Sequence, residues 1–294
     1  MGNRKTKPKY VIVKENFMDA EIDKDLVVRV YRIKALKEFQ TSAGTVQNGE
    51  YGGYIQDYNN LSQQGACWVF GESIVAENAQ VRGNSIILDN CVIRENADIG
   101  GDAIVVGNCY IEGKSRVLQD AVVSGSVYMT GEATVMNSAR VFNKVILMNK
   151  VLVTGCSTVF HNANISGNAK ILENSIISGN CMITGNAKIY GGVVGDNALV
   201  ADNAVICNNA QIAGHSIVCQ NGFVGGDAMV IDAVVKDDAS VTNFAIIKNG
   251  FVAKGTMELS EGILPDEIES FTKYFTTNPD GTIDFSDDGP NAKK

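Results

Sequence analysis

Two histidines, His161 and His215, are the side chains of this sequence able to act as a general base near neutral pH, because an unperturbed imidazole titrates there. No serine, histidine and aspartate stand in a pattern that suggests a nucleophilic triad, and no glycine-rich phosphate loop is visible. The seven cysteines include no Cys-x-x-Cys pair, so no zinc site is expected. The other chemistry-bearing residues are acids: Glu72, Glu77, Asp89, Glu95, Asp102, Asp120, Glu132 and Glu173. Rows of carboxylates on a rigid support can imitate a nucleic-acid backbone, or they can be ordinary solubilising charge. Lys114, Lys144 and Lys150 interrupt the series and favour the second reading. The support that positions these groups decides what they can do.

That support is a six-residue lattice. From Val69 to Ile189 every sixth residue is Val, Ile, Leu or Met, 21 positions without a miss. Two residues before each stands a small one, Cys67, Ser73, Ala79, Ser85, Cys91 and onward to Ala187, always Ala, Ser, Cys or Val. Residues two apart on a strand face the same side, so each hexad turns one small and one large side chain inward. Turn pairs such as Gly83-Asn84 and Gly107-Asn108 follow, and both residue types tolerate the left-handed backbone of a sharp corner. Short strands at this period make a parallel β-helix, with three hexads to a coil of about 18 residues. Cys67, Cys91, Cys109 and Cys181 fall on the small inward positions and read as reduced core thiols, Cys91 and Cys109 stacked one coil apart. Both histidines fall at expected corners, and no loop is inserted anywhere in the 21 hexads.

After Ile189 the lattice slips by one residue to Val194, runs through Val200, Ile206, Ile212, Val218, Val224 and Val230, and slips again to Val235. His215 lies near these slipped coils, which makes it the better general-base candidate of the two. The helix is expected to end near Val252 after about ten coils. Residues 1–66, with strands at Tyr10–Val13 and Leu26–Ile33, form the N-terminal β cap that the open first coil requires. Residues 67–254 form the β-helix. Residues 255–294 hold a short capping helix opened by Pro265-Asp266-Glu267, with Ile268, Phe271 and Phe275 on one face, and an acidic tail.

The chain has 294 residues, a net charge of −8 and 45% hydrophobic residues, the composition of a soluble globular protein. No run of 18 apolar residues suggests a membrane span, and no apolar signal segment follows the basic N-terminus. A cytoplasmic location is therefore expected. The acidic balance opposes direct nucleic-acid binding.

Tyr31-Arg-Ile-Lys-Ala-Leu36, Gly52-Gly-Tyr-Ile-Gln56 and Leu61-Ser-Gln-Gln-Gly-Ala-Cys-Trp-Val-Phe70, leading into the hexads, resemble the YdcK-like proteins of bacteria and their phages from residue 31 to about residue 250. The resemblance implies an all-β fold, a small β cap on a left-handed hexapeptide-repeat (LpxA-like) β-helix. That family carries at most an acyltransferase label. Hexapeptide-repeat acyltransferases use a histidine as general base toward a hydroxyl or amine, in a cleft usually set at a subunit interface. Under that alternative acetyl-CoA or another acyl-CoA would bind beside His215 or His161. Otherwise no catalytic residue, cofactor or metal is expected.

Sorting the outward residues by coil separates three faces. The Val69 face carries Trp68, Phe70, Ile86, Leu88, Ile104, Val106, Val122, Phe142, Phe160 and Ile176, and after the first slip Val193, Met229 and Ile246. The Val75 face is mixed, with Arg94, Tyr110, Glu112 and Tyr128, and the Val81 face is the most polar. The first stripe is too apolar for the solvent face of a monomer. The expected function is a non-catalytic scaffold or binding protein acting through protein–protein contacts. It self-associates through this stripe as a homodimer, with a trimer as the alternative. The other two expectations are the acyltransferase and a phage-type inhibitor imitating nucleic acid with its acidic corners.

Overall fold

The computed structural model describes residues 7–23, 26–207, 216–248, 250–264, 275–277 and 283–285. The chain is a parallel β-solenoid of about 11 turns. It divides into two compact units, residues 1–161 with 165–168, and residues 162–164 with 169–294.

In the first unit Val92 lies beside Ile74 and Tyr110, Asp98 beside Gln80 and Arg116, and Ile104 beside Ile86 and Val122. Every partner is 18 residues away, so three hexads make one coil. Most strands are two residues long, one outward and one inward, and the other four residues of each hexad turn the corner. The turn passes through a left-handed residue, as at Glu77 (φ 57°) and Asp89 (φ 67°). At Gly101 both φ (+77°) and crowding demand glycine, because a Cβ there would meet the Gln119 backbone at 2.6 Å. Val69, Val75, Val81, Ile87, Ile93 and Ile99 are at most 1% exposed. Burying each such side chain contributes about 1.5–3 kcal/mol, so the repeat is its own core.

The cap extends two of the three faces. Strand β1 (Tyr10–Asp23) pairs antiparallel with β2 (Leu26–Ala35), with a bulge between Val13 and Phe17. The hairpin β3 (Phe39–Thr41) and β4 (Gly44–Val46) follows. Strand β5 (Tyr51–Ile55) then pairs antiparallel with β2 and parallel with Ile74–Val75, which starts the Val75 face. Leu61 bridges to Val81 and starts the Val81 face. Side chains satisfy backbone groups that a preceding coil would have met. The Lys9 ammonium donates to the Cys67 carbonyl (2.8 Å) and the Gly65 carbonyl (3.4 Å), and the Asn60 amide donates to the Glu77 and Ala79 carbonyls (3.0 and 2.9 Å).

In the second unit Ile177, Val194, Val218 and Val235 are successive neighbours on one sheet. The steps are 17, 24 and 17 residues, so the shortened corners before Val194 and Val235 are present. The 24-residue step holds 24 − 18 = 6 extra residues. Ile212, expected on the inward lattice, lies outside the described residues, as does His215. The coils also run past Val252: Glu258–Leu259 pairs with Ser240–Val241, and Ile263–Leu264 with Ile246–Ile247. Met257 hides this in the sequence, since a large residue fills the small position before Leu259.

No helix occurs among the described residues. The expected helix positions Ile268 and Phe271 lie outside them. Phe275 instead begins the strand Phe275–Thr277, antiparallel to Ile283–Phe285. The intervening Asn278-Pro279-Asp280-Gly281 is a turn sequence, which favours a hairpin over continued helix.

Candidate functional site

The corners look acidic because their side chains hold the next coil. The backbone N–H of Glu77 donates to Gln56 Oε1, that of Glu95 to Glu77 Oε2, and that of Gly113 to Glu95 Oε2 (2.6, 2.8 and 2.9 Å). In the second unit the N–H groups of Gln220, Asp237 and Gly255 donate in the same way to Asp196, Gln220 and Asp237 (3.1, 2.8 and 2.9 Å). In each case a corner side chain accepts a bond from the corresponding corner of the next coil. Asparagines one position on form a second ladder, Asn84 donating to Asp102 (2.9 Å) and Asn162 to Asn180 (3.0 Å). Of the other expected acids, Glu72 pairs with Arg32 at 2.9 Å and Glu132 lies 4.0 Å from Lys114.

One charged cluster joins residues of the mixed Val75 face to the acidic corner beside it. Arg94, on the Val75 face, is 6% exposed and lies 2.8 Å from Glu95, 3.2 Å from Glu112 and 3.8 Å from Glu77. Glu112 also accepts a short bond from the Tyr128 hydroxyl, which lifts that phenol's pKa. Burial works against the Arg94 charge, but the Glu95 hydrogen bond and the surrounding carboxylates hold its pKa above the usual value. An arginine saturated by three carboxylates is a cross-coil tie, since it has little charge left to offer a ligand.

The apolar stripe is only partly open. Trp68 is fully buried in the cap, edge-on to Tyr10 (6.1 Å) and Phe39 (5.4 Å), so it belongs to the cap's packing. Ile86 and Phe160 are each 2% exposed, Phe160 stacked on Phe142 at 5.1 Å. Phe70, Leu88, Ile104, Val106, Val122 and Phe142 are half-buried, and polar Arg140 and Thr158 interrupt their row. In the second unit Ile176 packs against a buried group, Val193, Ile217, Cys219 and Val234. Met229 and Ile246 do not join that face. They pair with Val205 and with each other on the Val81 face, because the 24-residue coil shifts the count. The most exposed large apolar side chains lie elsewhere, Phe244 at a corner and Val27 in the cap hairpin.

His161 sits at a left-handed corner (φ 64°) with its ring 4.5 Å from Phe160, and its carbonyl accepts the Lys144 N–H. Among the described residues no group of three or more His, Cys, Asp or Glu is placed to hold a metal ion. No described helix is long and apolar enough to cross a membrane. Compared with known protein-family models and with curated proteins, the chain matches none.

Proposed function

We propose that this protein is a non-catalytic β-solenoid scaffold that acts through protein–protein contacts and self-associates on its Val69 face. The observation that supports this reading is the flat row of half-buried apolar side chains, Ile104, Val106, Val122 and Phe142, on a sheet whose corners are occupied with holding coils together. Two copies burying the same patch on each other satisfy closed symmetry, and a stable contact would cover more than about 1,000 Å² in total. A trimer is the alternative assembly. Membership of the YdcK-like hexapeptide-repeat group is part of the proposal and rests on the cap motif and the lattice; a cytoplasmic location and the lack of a cofactor are proposed with it. The corner carboxylates weaken the nucleic-acid mimic, because many already accept backbone or side-chain donors. The test is sedimentation of the full chain at micromolar concentration. A dimer that Val106→Lys with Phe142→Lys converts to folded monomer is expected, and a monomeric parent protein overturns the reading.

A second reading is favoured by the six extra residues in the coil from Val194 to Val218, because the segment they lengthen contains His215. Hexapeptide-repeat acyltransferases often throw a loop from a coil near the catalytic histidine. Saturable acetyl-CoA binding by calorimetry, lost in His215→Ala, would establish it in place of the scaffold.

A further inference from the structure

Most buried thiols of the solenoid meet only carbonyls or each other. The Cys91 thiol donates to Leu88 O at 3.3 Å, and its pairing with Cys109 together with burial pushes its pKa well up. Burial pushes Cys181 and Cys219 up to about 12. Cys67 differs, because an amine reaches it. Its Sγ lies 3.2 Å from Lys9 Nζ, and the two residues are 0% and 1% exposed.

Both partners are held in place. Lys9 Nζ also donates to the Cys67 and Gly65 carbonyls, and the Phe39 ring lies 5.6 Å away. Gln63 fixes the Lys9 backbone N–H at 2.7 Å, and the Tyr10 hydroxyl is bonded to Leu61 O. The nitrogen and sulfur therefore face each other across a gap that a small closing motion would fit to a single bridging atom. Burial also lowers the Lys9 pKa, so its neutral, nucleophilic form is reached at lower pH than for a surface lysine.

We propose that Lys9 and Cys67 form an oxidative modification site, closed by a lysine–cysteine N–O–S cross-link, with hydrogen peroxide as the oxidant. A first peroxide converts the thiol to a sulfenic acid and leaves as water. A second peroxide removes one hydrogen from the amine and one from the sulfenic oxygen as the N–O bond forms, and leaves as two waters. In sum one thiol, one amine and two peroxides give the bridge and three waters, with sulfur and nitrogen each losing two electrons. Two equivalents of a dithiol restore amine and thiol and release one water. Burial excludes a bulky disulfide partner from the Cys67 thiol. The bridge would tie together residues 58 apart in sequence and lock the cap to the first coil.

The full chain is titrated with hydrogen peroxide and followed by intact mass and by peptide maps without reductant. The expected product gains one oxygen and loses two hydrogens, joins the Lys9 and Cys67 peptides, reverts with dithiothreitol, and raises the melting temperature. Cys67→Ser and Lys9→Arg should each lack it. Whole oxygens added at Cys67 without hydrogen loss, an unreactive Cys67, or the same mass change in Lys9→Arg would overturn the proposal. The peptide map of the unsubstituted chain decides the matter even where a variant fails to fold.

Discussion

Replacing Gly53 by alanine should undock the cap, and the structure sets the size of the effect. A Cβ at Gly53 would lie 2.6 Å from Ser73 O and 2.7 Å from Val69 Cγ1. Ordinary contact begins at 3.4 Å, so β5 must retreat by about 3.4 − 2.6 = 0.8 Å. The neighbouring Tyr54 N–H donates to that same Ser73 oxygen at 2.9 Å, and an added 0.8 Å takes it beyond hydrogen-bonding range. Losing this bond costs about 1 kcal/mol and crowding adds about 1–3, while replacing a strand glycine returns about 0.5–1. The net expectation is about 1–3.5 kcal/mol of destabilisation. Trp68 is the chain's single tryptophan and is buried against Tyr10 and Phe39, so its fluorescence reports cap docking directly. Urea titration should move the Trp68 transition to lower denaturant in Gly53→Ala. Gly100→Ala is the control: the nearest atoms to its Cβ, at 3.0–3.3 Å, belong to the exposed Arg82 side chain paired with Asp98 and not to backbone, so its midpoint should hold or rise. An unchanged or raised midpoint in Gly53→Ala would refute the assigned docking of β5 on the first coil.

Ile111→Asp should abolish soluble folding, since it places an unpaired carboxylate at a fully buried site at a cost of several kcal/mol; normal yield and melting would contradict the coil register. Glu95→Ala should lower stability by at least about 1 kcal/mol through loss of both the acceptor for Gly113 N–H and a partner of Arg94, while Glu95→Gln keeps an acceptor and should lose less; equal melting of the two would show the corner bond to be idle. Cap stability should follow pH with two opposing signs. Burial holds the Lys9 pKa below its ordinary 10.5, so its contribution grows as pH rises through the folded value toward 10.5. Burial holds the Tyr10 pKa above its ordinary 10.0, so its contribution is full below 10.0 and is lost as pH climbs beyond. Lys9→Met should remove the rise and leave the fall, read as Trp68 melting temperature against pH.

The repeat was legible because a strict period of six admits one inward lattice, and 18-residue pairing follows once three faces close. Two kinds of information were not legible. A change in coil length conceals itself when the six-residue pattern continues through it, and only strand pairing reveals that Val194 adjoins Val218. Met229 and Ile246 were consequently assigned to the wrong face. Cap burial was the other. Trp68 has the spacing of an outer-face residue, but whether it faces solvent depends on Tyr10 and Phe39, far earlier in the chain. The Arg94 cluster is legible in part: the 18-residue period puts Arg94 and Glu112 on one face, but that corner residues Glu77 and Glu95 also close on the buried guanidinium depends on contacts among three coils.

The corner carboxylates show why residue type alone misleads in a solenoid. A left-handed corner residue exposes its N–H toward the neighbouring coil, where no strand ladder reaches it. A Glu, Gln or Asp of that coil supplies the acceptor, as Glu77 does for Glu95 and Asp196 for Gln220. Apart from Gln56, which starts one series, each acceptor is itself a left-handed residue whose own N–H needs the same service, so the side chain that satisfies one corner recreates the demand at the next. Acid and amide are interchangeable in this role, which is why Gln56, Gln119 and Gln220 stand in the same series as Glu77, Glu95 and Asp237. A row chosen for negative charge would have no reason to admit glutamine. Selection at these corners is therefore for an oxygen acceptor of suitable reach, and the acidic pI is partly a by-product of stacking.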